Sequence, residues 1–405
     1  MKLFDEKNQC YGCTACANVC PFNAITMVAD EEGFKYPEVN QDLCVECGRC
    51  KAVCQIHSLK IKEEIEPIVY AAKNSDDEIR AKSASGGMFS VLADKIIANG
   101  GVVYGVAYSD DFTVQHERAE TVEAYEKFRG SKYVQSDLHD CFSKVKEDLK
   151  NGRKVLFTGT PCQIAGLKTF LGEKAQSKDI ILCEIICHGA PSPKLWKDHI
   201  ALIESERGVK VVNYLNRSKV LGWHGHNEHI LYENGKEEYK TKLSQLHKDL
   251  FYAHFTIRPS CYACEYTQFP RSADITIADF WGIENFMPEF DDNKGTSMLI
   301  LNTEKALNFY NEVKDNLICR ESNISDAFYD NHKKPAKMNV NRENFWRDYE
   351  THGYLYVAQK YSAYTIAGRM KRQIKIIVKE ISIKLKIYEF IHKITIKKYQ
   401  KDTYK

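Results

Sequence analysis

The chain has 405 residues, 43% of them apolar and 28% charged, with a formal net charge of +2 at pH 7. This composition fits a globular protein of two or three domains and excludes a disordered chain. No run approaches the roughly 18 apolar residues of a spanning helix, and a charge so near neutral gives no reason to expect a nucleic-acid partner. Met1 to Lys7 lack the apolar stretch of a secretion signal, so the expected compartment is the cytoplasm.

In chain order, residues 1–60 come first and hold eight of the 15 cysteines. A charged linker, 61–67, ends in Pro67. From residue 68 short apolar strands alternate with helical stretches. Strands are expected at Val102–Tyr108, Lys154–Thr158, Ile180–Ile186, Asp274–Ala278 and Ser297–Leu301. Helices are expected at Met88–Asn99 and Leu138–Lys150, stopped by Gly100-Gly101 and Asn151-Gly152. The predicted class is therefore α+β: a cysteine-rich module, then a mixed α/β body, then a basic helical tail. The expected divisions are 1–60, 68–150, 151–350 and 366–405. The last stretch has twelve Lys or Arg over 369–405 against Glu380, Glu389 and Asp402, which suits an anionic membrane face, an acidic partner or a solvated surface helix.

Cys10, Cys13, Cys16 and Cys20 recur 34 positions later as Cys44, Cys47, Cys50 and Cys54. Two Cys-x2-Cys-x2-Cys-x3-Cys runs are the signature of two 4Fe-4S clusters, since thiolates are soft ligands for iron and a tight loop supplies three of them. In such runs the fourth cysteine serves the other cluster. Cys10, Cys13, Cys16 and Cys54 are expected to hold one, and Cys44, Cys47, Cys50 and Cys20 the other. Pro21 follows Cys20 as the pattern requires, whereas Gln55 follows Cys54. Zinc is the competing metal, but zinc sites show separated pairs rather than two runs of four. This module resembles bacterial two-cluster ferredoxins over residues 1–60.

Four further cysteines stand where ligands could meet. Cys162 and Cys187 each follow an expected strand, and Cys261 with Cys264 forms a chelating Cys-x2-Cys pair. Strand ends in an α/β body are natural places for a site. Cys183 rivals Cys187 but lies within its strand. Cys141, Cys183 and Cys319 read as small buried hydrophobes.

The phrases Ser83-Ala84-Ser85-Gly86-Gly87, Gly130-Ser131-Lys132-Tyr133, Gly159-Thr160-Pro161-Cys162-Gln163, Cys187-His188-Gly189-Ala190-Pro191-Ser192 and Ala278-Asp279-Phe280-Trp281-Gly282 resemble the beta subunit of coenzyme F420 hydrogenases and dehydrogenases. The resemblance covers about 68–350. It implies a flavoprotein that binds FAD and one more 4Fe-4S cluster and exchanges electrons with a deazaflavin, coenzyme F420. Carried over, Cys162, Cys187, Cys261 and Cys264 are the third cluster's ligands.

The loop Ser83 to Gly87 opens an expected helix, where Ser83, Ser85 and the N–H groups of Gly86 and Gly87 could meet a flavin phosphate. Ser131, Lys132 and Tyr133 offer a cation and an aromatic face. Each segment could equally be a plain turn. His188 is a candidate proton donor or a local positioning group, and no catalytic residue is assigned. Asp279 and Trp281 could close the site or form a strand-end turn. His224, His226 and His229 could suggest a metal, a reading that is discounted. Two functions fit: an iron–sulfur flavoprotein oxidoreductase exchanging electrons with a redox partner protein or small hydride carrier, or a non-catalytic electron-transfer subunit.

Overall fold

Alternating apolar strands with helical segments between them build a sheet covered on both faces. The computed structural model describes residues 2–58, 65–225, 227–329 and 334–362, with Met370, Ile374 and Ile377 beyond them. The expected tail at 366–405 otherwise lies outside the described residues, as does most of the linker. Among the described residues no helix is long and apolar enough to cross a membrane.

In the cysteine-rich module, β1 (Ile25–Ala29) and β2 (Lys35–Val39) form an antiparallel hairpin. The body follows with β3 (Ile68–Asn74), β4 (Val102–Tyr108), β5 (Val114–Ala119), β6 (Val155–Gly159) and β7 (Ile180–Ile185). Next come β8 (Val211–Ser218), β9 (Asn227–Tyr232), β10 (Glu237–Tyr239), β11 (Ile275–Asp279), β12 (Ser297–Leu301) and β13 (Leu317–Ser322). An eight-stranded sheet has the order β13-β3-β12-β11-β7-β6-β4-β5, and β8 to β10 form a separate three-stranded sheet. β4, β6, β7 and β11 run parallel at its centre, while β5, β12 and β13 pair antiparallel with their neighbours.

The alternation of side chains sends each central strand's residues into two cores. Val103, Leu156, Ile181 and Cys183 pack with the helices Met88–Ala98 and Glu304–Val313. Tyr104, Phe157, Ile180 and Leu182 pack on the other face with the helices Cys141–Lys150 and Pro161–Leu171. Ala15 of the cysteine-rich module enters that second core, so the module docks onto one face of the sheet. Asn18 reinforces the docking by donating from Nδ2 to the His139 carbonyl at 2.8 Å and accepting from Ser143 N–H at 3.1 Å. Arg342 and Glu32 form a forked ion pair across the same junction.

Cys141 and Cys183 are buried, and Cys319 is partly buried against the first core. Cys183 lies in the core under helix Met88–Ala98, which leaves Cys187 as the strand-end thiol.

Candidate functional site

The folded chain brings thiols of the two runs together. Cys13 and Cys16 each sense Cys10 and Cys54 electrostatically, which puts Cys54 of the second run beside the first. Cys20 lines one cavity with Cys44, Cys47 and Cys50. Left-handed residues make the tight loops, among them Gly12 at φ 69° and Gly48 at φ 75°. The loops aim backbone N–H groups at sulfur: Ala15 at Cys13, Ala17 at Cys16, Lys51 at Cys50, and Ala24 at Cys20, the last at 3.4 Å.

The third set also converges. Cys162 sits in the first turn of helix Pro161–Leu171, directly after β6. Cys187 lies two residues past β7, the strand paired parallel to β6. Cys261 and Cys264 come from a turn anchored by backbone bonds, Arg258 N–H to Ala190 O at 3.0 Å and Ser192 N–H to Thr256 O at 2.9 Å. Cys187 senses Cys261, Cys162 and Cys264. Desolvation pushes the Cys162 thiol up to about 12 and those of Cys261 and Cys264 to about 11. Four thiols held out of water gain most from a bound cation that takes them as thiolates.

The first and third sets adjoin. Gly166, one turn past Cys162 on the same helix, has no side chain because Cys13 fills the space: a Cβ there would lie 2.7 Å from Cys13 Sγ. Gln55 is buried at the junction, donating from Nε2 to Cys162 O at 3.0 Å and accepting from the Tyr266 hydroxyl at 2.6 Å. Tyr266 in turn packs edge-on against Tyr11, with ring centroids 5.2 Å apart. Sequence reasoning missed this junction. Its one visible signal was Gln55 standing after Cys54, where a proline could not have donated.

Beyond Cys187 lies a group of rings and charges. His188 Nε2 meets His254 Nε2 at 2.7 Å, and its ring packs on Phe251 and Tyr252. Tyr252 bonds Tyr133, which bonds Arg217. Arg217 pairs with Asp279 at 3.1 Å and lies over the Trp281 ring, itself stacked on Trp223 at 4.9 Å. Trp223 Nε1 donates to Asp279 at 2.7 Å. Tyr133, His188, Asp279 and Trp281 were singled out by sequence; Arg217, Tyr252 and His254 were not, because they lie outside any motif.

The remaining loop positions have local partners. Gly86 N–H donates to Ser297 Oγ at 2.9 Å, and a Cβ there would meet the Ala72 carbonyl. Ser83 Oγ bonds Ile79 O, and Ser85 Oγ bonds Thr296 O. Gly87 is the left-handed N-cap of helix Met88–Ala98. Ser131 O accepts from Asn216, and Lys132 Nζ is held by the carbonyls of Lys127 and Arg129. His224 pairs with Asp291 at 2.7 Å, and the exposed Glu284 completes a trio of potential ligands. These carboxylates are distant from His224 in sequence, which is why sequence reading did not find them. His229 stacks on Tyr239 and faces Glu237 at 3.3 Å, while His226 lies outside the described residues.

Thiol groups of ferredoxin spacing, set against an α/β body, define an iron–sulfur electron-transfer protein. Residues 9–57 match the family described as 4Fe-4S dicluster domain. Residues 152–327 match the family described as the C terminus of the coenzyme F420 hydrogenase/dehydrogenase beta subunit. The chain thus joins a region similar to this second family to a dicluster domain at its N-terminal end. It is 20% identical over 323 residues to the F subunit of the F(420)H(2) dehydrogenase of Methanosarcina mazei, covering 77% of this chain and 84% of the relative. The I 2 subunit of the NADH-quinone oxidoreductase of Geobacter metallireducens is 35% identical over 71 residues, 16% of this chain and 54% of the relative. The structure of the F420-reducing NiFe hydrogenase complex from Methanosarcina barkeri aligns with a TM-score of 0.43 at 16% identity, over 76% of this chain and 95% of that one.

Proposed function

We propose that the chain is an oxidoreductase whose twelve clustered cysteines hold three 4Fe-4S clusters in series. Cys20, Cys44, Cys47 and Cys50 hold the outer one, where Cys47 is exposed to solvent. Cys10, Cys13, Cys16 and Cys54 hold the middle one. Cys162, Cys187, Cys261 and Cys264 hold the inner one, at the strand ends. The observation that carries this reading is the Gly166–Cys13 contact, which sets the helix bearing Cys162 directly against a thiol of the middle set.

FAD is proposed as the resident hydride cofactor, on the family resemblance. The residues that fit it best are Arg217, Tyr133 and Trp281, a cation with aromatic faces linked to Cys187 through Tyr252 and His188. The Ser83–Gly87 loop contributes shape rather than donors, since Gly86 N–H and both hydroxyls already have protein partners. When bound, a flavin exchanges a hydride pair on one side for single electrons on the other. The chain's own part is to seat that group beside Cys187. The proposed hydride carrier is coenzyme F420 or another two-electron donor or acceptor.

A second reading follows from the Methanosarcina mazei relative, which is named as a subunit. On that reading the exposed outer cluster serves a partner redox protein. Turnover decides between them. The isolated anaerobic chain, given reduced deazaflavin or NAD(P)H with a viologen dye, reduces the dye if it is an oxidoreductase in its own right. Clusters that respond to dithionite without any such turnover identify an electron-transfer subunit.

A further inference from the structure

Arg258 is 1% exposed and lies between the middle and inner cysteine sets. Its Nε donates to Cys10 O at 2.8 Å, Nη1 to Gln135 Oε1 at 3.0 Å and Nη2 to Lys35 O at 3.0 Å. Nη2 also lies 3.7 Å from Cys10 Sγ. Its plane covers the Tyr36 ring at 4.2 Å. Gly12 is required beside it, because a Cβ there would sit 2.9 Å from Nη1. Three residues on, the same turn carries Cys261. The guanidinium also acts electrostatically on Cys162 and Cys261.

Among the described residues no carboxylate lies within ion-pair distance of it: every hydrogen-bond partner is a neutral oxygen or a cysteine sulfur. A guanidinium stays charged at any ordinary pH. Burying it without an anion is costly. Clusters bound by four thiolates are net anionic in both redox states, and nearby charge sets their potential. The missing anion is therefore supplied from two sides, by the cluster on Cys10 and by the one on Cys162 and Cys261.

We propose that Arg258 is the shared counter-ion of the middle and inner clusters, between which an electron passes, and that its charge raises both reduction potentials. In that transfer one cluster is oxidised and its neighbour reduced, and no bond is made or broken. Arg258 acts as a positioning residue through charge. The inference rests on the proposed third cluster.

The test is an EPR-monitored redox titration of the full chain, purified anaerobically, as wild type, Arg258→Met, Arg258→Lys and Gln135→Glu. Arg258→Met is expected to shift the reduction equilibrium of the middle and inner signals at least tenfold toward oxidised, about 59 mV for one electron. Arg258→Lys keeps the charge and shifts less than Arg258→Met. Gln135→Glu sets a carboxylate against Nη1 and shifts both in the direction of Arg258→Met. The outer cluster is the internal reference and does not move. Unmoved potentials in Arg258→Met with wild-type iron content, or an equal shift in Arg258→Lys, overturn the proposal. If Arg258→Met loses its iron, unmoved potentials in Gln135→Glu overturn it. Wild-type iron near eight per chain instead overturns the third cluster and leaves Arg258 to be judged on the Cys10 signal alone.

Discussion

Substituting Gly166 by alanine tests the junction between the middle and inner cysteine sets. In an ordinary helix interior, glycine to alanine stabilises by about 1 kcal/mol. At Gly166 the new Cβ would come 2.6 Å from Cys13 Cβ and 2.7 Å from Cys13 Sγ. Such overpacking costs about 1–3 kcal/mol. Cys13 cannot retreat freely, because on this account its sulfur is bonded to iron. The net expectation is a loss of up to about 2 kcal/mol, opposite in sign to the usual effect. Anaerobic urea unfolding, followed by the visible chromophore and by far-ultraviolet circular dichroism, measures it. EPR of the reduced protein should show the signal of the cluster on Cys13 altered and that of the outer cluster unchanged. An alanine variant that gains about 1 kcal/mol with both signals intact would refute the contact and the relay built on it.

Gln55→Leu removes the bonds to Cys162 O and the Tyr266 hydroxyl and leaves a buried hydroxyl unpaired, so the melting temperature should fall by an amount equivalent to about 1–3 kcal/mol. Glu184 is fully buried and accepts from Arg271 Nε, Ser272 N–H and Thr276 Oγ1. Glu184→Ala strands the Arg271 charge, and denaturation should report a loss of about 3–5 kcal/mol. His116 is buried, and desolvation lowers its pKa from 6.5 to about 4. Its folded pKa is depressed, so the unfolded chain binds the extra proton first. Stability should therefore be full above pH 6.5 and decline as pH falls from 6.5 to about 4, by up to about 3 kcal/mol. The gap between urea midpoints measured at about pH 7.5 and about pH 5.5 should be smaller in His116→Gln than in wild type.

The central strands and their flanking helices were legible because their apolar runs are short and bounded by Gly-Gly and Asn-Gly stops. β4 was expected at Val102–Tyr108 and occupies those residues, and the helix at Met88 ends one residue early, at Ala98. β3, β13 and the separate β8–β10 sheet were not legible. Lys73 and Arg320 interrupt the apolar pattern of the first two, and antiparallel edge partners leave only a half-periodic signal. The cysteines declared themselves by spacing, since local loops provide three ligands at a time. Arg258, Gln55 and Gly166 act across separations that no local pattern encodes. At the Ser83 loop, Gly86 of the glycine pair packs on Ala72 and Ser297, contacts that no local pattern encodes.

The most direct measurement is the iron and acid-labile sulfide content of the anaerobically purified full chain. Three cubanes predict about twelve of each per chain and a brown chromophore that bleaches with dithionite. Zinc in place of iron, or iron near eight with Cys162, Cys187, Cys261 and Cys264 all open to thiol reagents, contradicts the account.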